Sequence, residues 1–439
     1  MDLLLQKRSV LHLFVAGFLA VTIGTLLLVL VWNLPNGPVR EHIQSSFSNI
    51  EARWGLEYFP DRENAVMDLR TDCRMLTIAA YDDATSSLDQ AMGAYSLKSD
   101  GLGMEQLNLL RATLEKPEDA ALDEYPRYWH GYLVPLRFEL LFTDYYSILL
   151  YNGILIELLV TLLVYVLVHK RETALLPPLV VTLLLASPVT LAMSMQYYAV
   201  TFVTLIALIA FVWFKDRLSG FWGVAFFSLG MIVNYLDFLT FPLLALGPSL
   251  LLFLSLLDDR KSWQEQLACA LVASSLWLVG YGLMWVSKWL LASVILHKNV
   301  VVDAAQQMAV RTSHETVHGY ESLGTGVHIT YADVLSENAR RIGGTLFNKL
   351  LLAAYPVFFI VWLVGKKGAA QVSGFPVRKV PAILSVALLP FVWSLLMSNH
   401  TYTHASFVFR IFLVSVLAAL YVPSYIVANT TEKRGNHAR

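Results

Sequence analysis

Charge is scarce in this chain: only 15% of its 439 residues are Asp, Glu, Lys or Arg, while 56% are hydrophobic. A soluble domain carries about 25% charged residues, so a surface facing water on all sides is excluded. The formal net charge is −1, which removes the basic surface that a nucleic-acid partner needs. Cysteine is nearly absent. Cys73 falls in a polar stretch and Cys269 in an apolar run, at different levels of a membrane, and this excludes a disulfide framework. Low-complexity segments and internal repeats are missing too.

Uninterrupted apolar sequence is what the chain has in quantity. A bilayer core of about 30 Å is crossed by about 20 apolar residues in a helix. Ten runs suit this: Val10–Trp32, Tyr146–Val168, Ala174–Met193, Ala199–Phe214, Gly220–Tyr235, Leu239–Leu257, Leu267–Ser287, Leu350–Val364, Val380–Met397 and Phe407–Val427. Backbone polar groups have no partner in lipid but each other, so each run is expected to be helical. The fold class expected is therefore an all-α polytopic membrane protein.

Orientation follows from Lys and Arg. Every second connection is basic: Lys7 and Arg8, Lys170 and Arg171, Lys215 and Arg217, Arg260 and Lys261, Lys366 and Lys367 with Arg378 and Lys379, then Lys433 and Arg434. The intervening short connections, at Gln196–Tyr198, Asn234–Asp237 and Asn399–Ser406, have neither. By the positive-inside rule both termini face the cytoplasm. The first run is longer than a signal-peptide core, and Asn33-Leu-Pro-Asn-Gly37 offers no small-residue cleavage site, so it reads as a retained anchor. The expected division is 1–32 as tail and first span, 33–145 as an extracytoplasmic domain, 146–287 as six spans, 288–349 as a second outer loop, 350–428 as three spans and 429–439 as a cytoplasmic tail. Both outer loops carry amphipathic helix patterns: Ile43, Phe47, Ile50 and Trp54 in the first, Val334, Leu335, Ile342 and Leu346 in the second. Such helices lie along the membrane surface or pack the outer domain together.

Polar residues concentrate on the outer side. Asp237 stands in Asn234-Tyr-Leu-Asp-Phe-Leu-Thr240, Lys288 closes the seventh run, and Arg410 opens the tenth, just after His400 and His404. Intramembrane charge is expensive and usually faces a cavity, whereas a long side chain such as Lys288 can also snorkel. Glu157 is the one carboxylate near the middle of a run; alone, it is a thin basis for a transporter or proton relay. Arg127 and His130, within Tyr125-Pro-Arg-Tyr-Trp-His-Gly-Tyr132, are suited to a lipid phosphate, while the aromatics around them suit an interfacial belt. In Asp68-Leu-Arg-Thr-Asp72 the i, i+4 spacing sets two carboxylates on one helical face, as a general base or a divalent cation requires. Arg70 and Arg74 would equally make them a salt-bridge network. Asp82 and Asp83 are a weaker second pair.

The runs Arg127–Tyr132, Asp68–Asp72 and Asn234–Thr240, with Asn399-His-Thr-Tyr-Thr-His404 leading to Arg410, resemble a family of uncharacterised bacterial multi-spanning proteins. Their layout is similar to that of the C-type-fold membrane glycosyltransferases. That resemblance implies a polyprenyl-phosphate sugar as donor, a membrane lipid environment, and an extracytoplasmic glycan or protein as acceptor. It also implies Asp68 or Asp72 as catalytic base, possession of Arg127, His130, Asp237, His400, His404 and Arg410 by the substrate site, and room for a divalent cation. The chain departs from that family's pattern in one respect: the catalytic acid there follows close behind the first span, whereas the first Asp after that span here is Asp61, and Glu41, which is nearer, lies on the polar face of an expected surface helix.

A different chemistry is written in His314-Glu-Thr-Val-His318, the H-E-x-x-H signature in which two His on one helical face bind zinc and Glu activates water. Glu337 stands where a third ligand would, making a zinc metalloprotease the alternative reading. Gly319, directly after His318, weakens the helix this needs. A non-catalytic membrane scaffold or lipid exporter is the third reading.

Overall fold

The computed structural model describes residues 4, 9–53, 64–65, 67–81, 86–98, 105–115, 122–315, 327–365 and 377–437. Its elements are helices apart from one two-residue antiparallel ladder and an isolated bridge. Among the described residues, five helices are long and apolar enough to cross a membrane, or six if a bent pair counts as one span.

The chain opens with α1 (Ser9–Trp32), a candidate span, and continues through a helical module of α2 (Asn36–Arg53), α3 (Leu69–Ala80), α4 (Ser87–Gly93), α5 (Glu105–Glu115) and α6 (Leu133–Glu139). Strands β1 (Ser96–Leu97) and β2 (Leu122–Asp123) pair with Ser96 opposite Asp123. The face expected from Ile43, Phe47 and Ile50 is buried, and α2 packs on α3, α5 and α7 (Tyr145–His169). Of the two roles open to it, packing against neighbouring helices is the one observed. Trp54 lies outside the described residues.

This module is tied to the spans by cations on helix C-termini. The last carbonyls of a helix have no partner within it, and they carry the negative end of its dipole. Arg40 donates to the carbonyls of Ala80 (3.0 Å), Thr113 (3.0 Å) and Leu114 (2.6 Å), closing α3 and α5. Arg137, fully buried, donates to Val31 O at the end of α1 (3.1 Å) and to Ala79 O of α3. Lys288 lies in α13 (Trp263–Ile295), a helix of 33 residues, thus about 50 Å long at 1.5 Å per residue. It therefore does not end the span. The helix runs on to Ile295, and Nζ of Lys288 donates to Ala91 O and Met92 O of α4, 3.0 Å each. Snorkelling is replaced by complete burial.

Remaining elements in chain order are α8 (Leu176–Leu185), α9 (Pro188–Ala192), α10 (Tyr198–Phe214), α11 (Trp222–Leu236), α12 (Leu243–Ser255), then, beyond α13, α14 (Val300–Arg311), α15 (Tyr331–Gly343), α16 (Leu346–Gly365), α17 (Val380–Leu396), α18 (Ser398–Thr403), α19 (Ala405–Val408) and α20 (Leu413–His437). Several expected spans are short or broken. Thr173–Leu185, Trp222–Leu236, Leu243–Ser255 and Val380–Leu396 have 10–17 residues, or at most about 26 Å of helix against the roughly 30 Å of a bilayer core. The third run breaks at Ser187, whose φ is 63° and which precedes Pro188; a residue before proline is driven out of the α region. In the second loop Val334 is buried and Leu335 and Ile342 pack on the core, as their pattern predicts. Leu346 does not join them: it begins α16, across a bend of 87°, and is 73% exposed.

The spans pack through small residues. Gly230 of α11 lies against the Trp277 backbone of α13, and Gly280 of α13 against the Phe227 backbone of α11. Without a Cβ at either position the two backbones touch, as membrane helices do where a hydrophobic driving force between them is absent.

Candidate functional site

Asp68 and Asp72 open α3, and their surroundings differ. Asp68 is the N-cap: Oδ1 accepts from Thr71 N (2.9 Å) and Oδ2 from Thr71 Oγ1 (2.8 Å), satisfying donors that a helix N-terminus leaves over. Its own N–H donates to Ser194 Oγ (3.0 Å), and the residue as a whole is half-buried. Asp72 is enclosed, with 1% exposure. Oδ2 accepts from Tyr145 Oη (2.7 Å) and Met195 N (3.1 Å), and Oδ1 from Gln196 N (3.2 Å). Asp72 thus closes the N-terminal turn leading into α10, a carboxylate of α3 capping a candidate span. Burial pushes its carboxyl up to about 7 against the three hydrogen bonds that pull it down, and burial also raises Asp68. Of the neighbouring arginines, Arg74 pairs with Asp123 (2.9 Å). Asp61, Asp82 and Asp83 lie outside the described residues.

Five of the other six residues gather around the turn at 237–241, between α11 and α12. Asp237 takes Thr240 N on both oxygens (3.2 and 3.0 Å), holding Leu239 at φ 69°; burial pushes its carboxyl up to about 6. Phe238 is surrounded by Tyr125, Tyr128, His130 and Tyr132, with ring centroids 4.6–6.5 Å away. Leu239 O lies 2.8 Å from His400 Nε2. Phe241 lies under the Arg410 guanidinium, 5.6 Å from its centroid. His404 packs 4.8 Å from the His400 ring. Arg127 is set apart, on Asp303 (2.9 and 3.0 Å) and over the Tyr125 ring.

Tautomers follow from the hydrogen bonds. His400 Nε2 and His130 Nε2 both face carbonyl oxygens, Leu239 O and Tyr125 O, each at 2.8 Å, so both carry hydrogen. Burial lowers both rings well below the usual histidine range, and it takes His404 down to about 3. All three are neutral at physiological pH. His130 Nδ1 meets Tyr132 Oη (3.2 Å), and the ring is satisfied. His400 Nδ1 is buried without a partner, a lone pair pointing at no donor. A neutral ring of this tautomer accepts a hydroxyl proton at Nδ1; it does not neutralise phosphate.

Arg410 is the cation in this group. It is fully buried and its Nε donates to Ala186 O (3.0 Å), the carbonyl freed where the third run breaks before Ser187. The guanidinium rests on Tyr197, Phe409 and Phe241, and Nη2 reaches Asn64 O at 3.5 Å. Its Nη1 has no partner. No carboxylate pairs with it among the described residues. Tyr197 is the link to the first loop: its ring lies 4.5 Å beneath Arg410, and Arg410, Asp68 and Asp72 all act on its hydroxyl electrostatically.

The zinc motif is placed differently. His314 and Glu315 lie beyond the end of α14, Glu315 in a bridge to His328, so the described part of the motif is not helical. Glu337 is held by Arg340 and Arg341 (2.9 and 2.7 Å), and His318 lies outside the described residues. No group of three or more His, Cys, Asp or Glu able to hold a metal occurs among the described residues. Glu157 is exposed on α7.

No family model, no curated protein and no solved structure matches this chain.

Sequence reasoning missed Tyr145, Ser194 and Tyr197, which hold the acidic pair and the buried arginine. Hydroxyls at the ends of apolar runs look like interfacial anchors, and only long-range packing shows what they touch. It also missed Glu139 and Asn152. Asn152 Nδ2 donates to both Glu139 oxygens (3.2 and 3.3 Å), and both residues line a cavity of about 330 Å³ between α3, α6, α7 and α10.

Proposed function

We propose that the protein is a membrane glycosyltransferase that uses a lipid-phosphate-linked sugar on the outer face of the membrane. The observation that carries the reading is Arg410: a buried guanidinium with one unpartnered Nη and no carboxylate among the described residues, resting on Tyr197, whose hydroxyl also feels Asp68 and Asp72. A fixed guanidinium is suited to a phosphate leaving group, whose charge grows as the bond from the anomeric carbon to phosphate oxygen breaks. Asp68 is the base, because as a residue it is the less enclosed of the pair; it takes the acceptor hydroxyl's proton as that oxygen attacks the anomeric carbon. Asp72 positions α3 against α10. His400 Nδ1 accepts a hydroxyl of sugar or acceptor. The accompanying topology has ten spans, both termini in the cytoplasm and both long loops outside, in the cell membrane, with short or broken helices completing the spans that length alone leaves out.

The full chain in lipid nanodiscs tests this with a polyprenyl monophosphate as probe. Arg410→Gln is expected to weaken its binding by about tenfold or more, since hydrogen bonds to a charged group contribute roughly 1.5–3 kcal/mol. Asp68→Asn should leave binding intact and remove transfer. Binding unaffected by Arg410→Gln in a folded variant would end the proposal. A second reading, a non-catalytic scaffold or lipid exporter, is favoured by polar groups that are already internally satisfied: Asp72 and His130. It requires full biological function in Asp68→Asn.

A further inference from the structure

The cavity of about 330 Å³ lies on the side of the bundle, away from Arg410, between α3, α6, α7 and α10. Its walls change character with depth. At the outer end stand Glu139, Asn152, Tyr132 and Tyr198; below them, along α7 and α10, come Leu155, Phe202 and Ile206. Asn152 and Leu155 are three residues apart on α7, and Ala199, Phe202 and Ile206 recur at three and four on α10, so each helix turns one continuous stripe to the cavity. Leu155 and Ile206, 45% and 53% exposed, form its lipid-facing mouth.

The polar end is unbalanced. Tyr132 and Tyr198 spend their hydroxyls on His130 and on Ala192 O. Glu139 has Asn152 as its hydrogen-bond donor, and no Lys, Arg or His among the described residues pairs with it. A partly buried carboxylate served by one neutral amide lacks a counter-charge. Shape and charge together describe the missing occupant: an apolar chain entering from the bilayer and a cationic donor at headgroup depth.

We propose that this cavity is a binding site for a membrane lipid with a primary-ammonium headgroup, its ammonium on Glu139 and Asn152 and a chain along Leu155, Phe202 and Ile206. The site is separate from the one assigned to sugar transfer and does not depend on it. An anionic lipid phosphate would meet the Glu139 carboxylate, which makes this an unsuitable seat for the sugar donor. Primary ammonium offers three donors in a compact head, whereas trimethylammonium offers none.

The full chain is reconstituted in nanodiscs of mixed phosphatidylethanolamine, phosphatidylcholine and phosphatidylglycerol, and the lipids retained on release into detergent are counted by native mass spectrometry. Phosphatidylethanolamine should be retained about tenfold over the other two, the preference expected of one charge-assisted contact. Glu139→Gln, which keeps the volume and can still bond Asn152, should erase that preference while leaving chain binding. Ala199→Phe, which fills the cavity from α10, should abolish retention of all three. Equal retention of the three lipids by the unmodified protein overturns the proposal, and needs no variant to fold. Preference surviving Glu139→Gln, or retention surviving Ala199→Phe, overturns it equally.

Discussion

Replacing Gly280 by Ala sets two known effects against each other with opposite signs. In a helix interior Ala is favoured over Gly by about 1 kcal/mol. At Gly280, however, the new Cβ would lie 2.9 Å from the Phe227 carbonyl carbon and 3.2 Å from its Cα, and nearer still to the carbonyl oxygen. Carbon atoms rest about 3.5–4.0 Å apart, so α11 and α13 must separate by roughly 1 Å. Backbone cannot swing aside as a flexible side chain would. Overpacking of this kind costs about 1–3 kcal/mol, and separation also loosens the reciprocal contact at Gly230, whose own Cβ would stand 2.9 Å from Tyr281 N. The net expectation is destabilisation by up to about 2 kcal/mol. Gly282 supplies the control. It lies on the same helix with nothing within 4 Å of an added Cβ, so Gly282→Ala should gain up to about 1 kcal/mol. The assay is thermal unfolding of the purified protein in one detergent, followed by tryptophan fluorescence. Gly280→Ala must melt below the parent and Gly282→Ala at or above it. If Gly280→Ala melts at or above the parent, the α11–α13 crossing is not a backbone contact and the packing argument fails.

Lys288→Met keeps the stem but orphans the carbonyls of Ala91 and Met92, and should cost roughly 2–4 kcal/mol, read as a lower melting temperature and faster proteolysis near α4. His404, held at about 3 against 6.5 in the unfolded chain, lets the unfolded state take up a proton first. Its contribution is therefore complete above about pH 6.5 and is lost as the medium is acidified towards 3; His404→Gln should flatten the melting-temperature profile over that range, and an unchanged slope would remove His404 as the cause. A reporter fused after Gln106 should be non-cytoplasmic and one fused within the 366–376 connection cytoplasmic; the reverse at either place overturns the proposed topology.

The sequence by itself determined that this is an all-α protein with helices able to cross a membrane, because apolar runs and helical periodicity are local properties. It also determined which face of α2 is buried, since Ile43, Phe47 and Ile50 repeat on one side whatever they pack against. Asp68 and Asp72 were legible as neighbours by their spacing, but their unequal roles were not. Only the tertiary structure, by bringing Tyr145, Met195 and Gln196 onto Asp72, tied that carboxylate to distant segments and left Asp68 as the local N-cap of α3. Ten apolar runs were legible, whereas the break at Ser187 became part of a site only when Arg410, far along the chain, took up Ala186 O. Lys288 could not be told from a snorkelling lysine until α13 was seen to carry it onto the end of α4. Periodicity speaks for each helix alone; the partner of an orphaned carbonyl or an enclosed charge is chosen by packing between segments far apart in sequence, and that information exists only once the chain is folded.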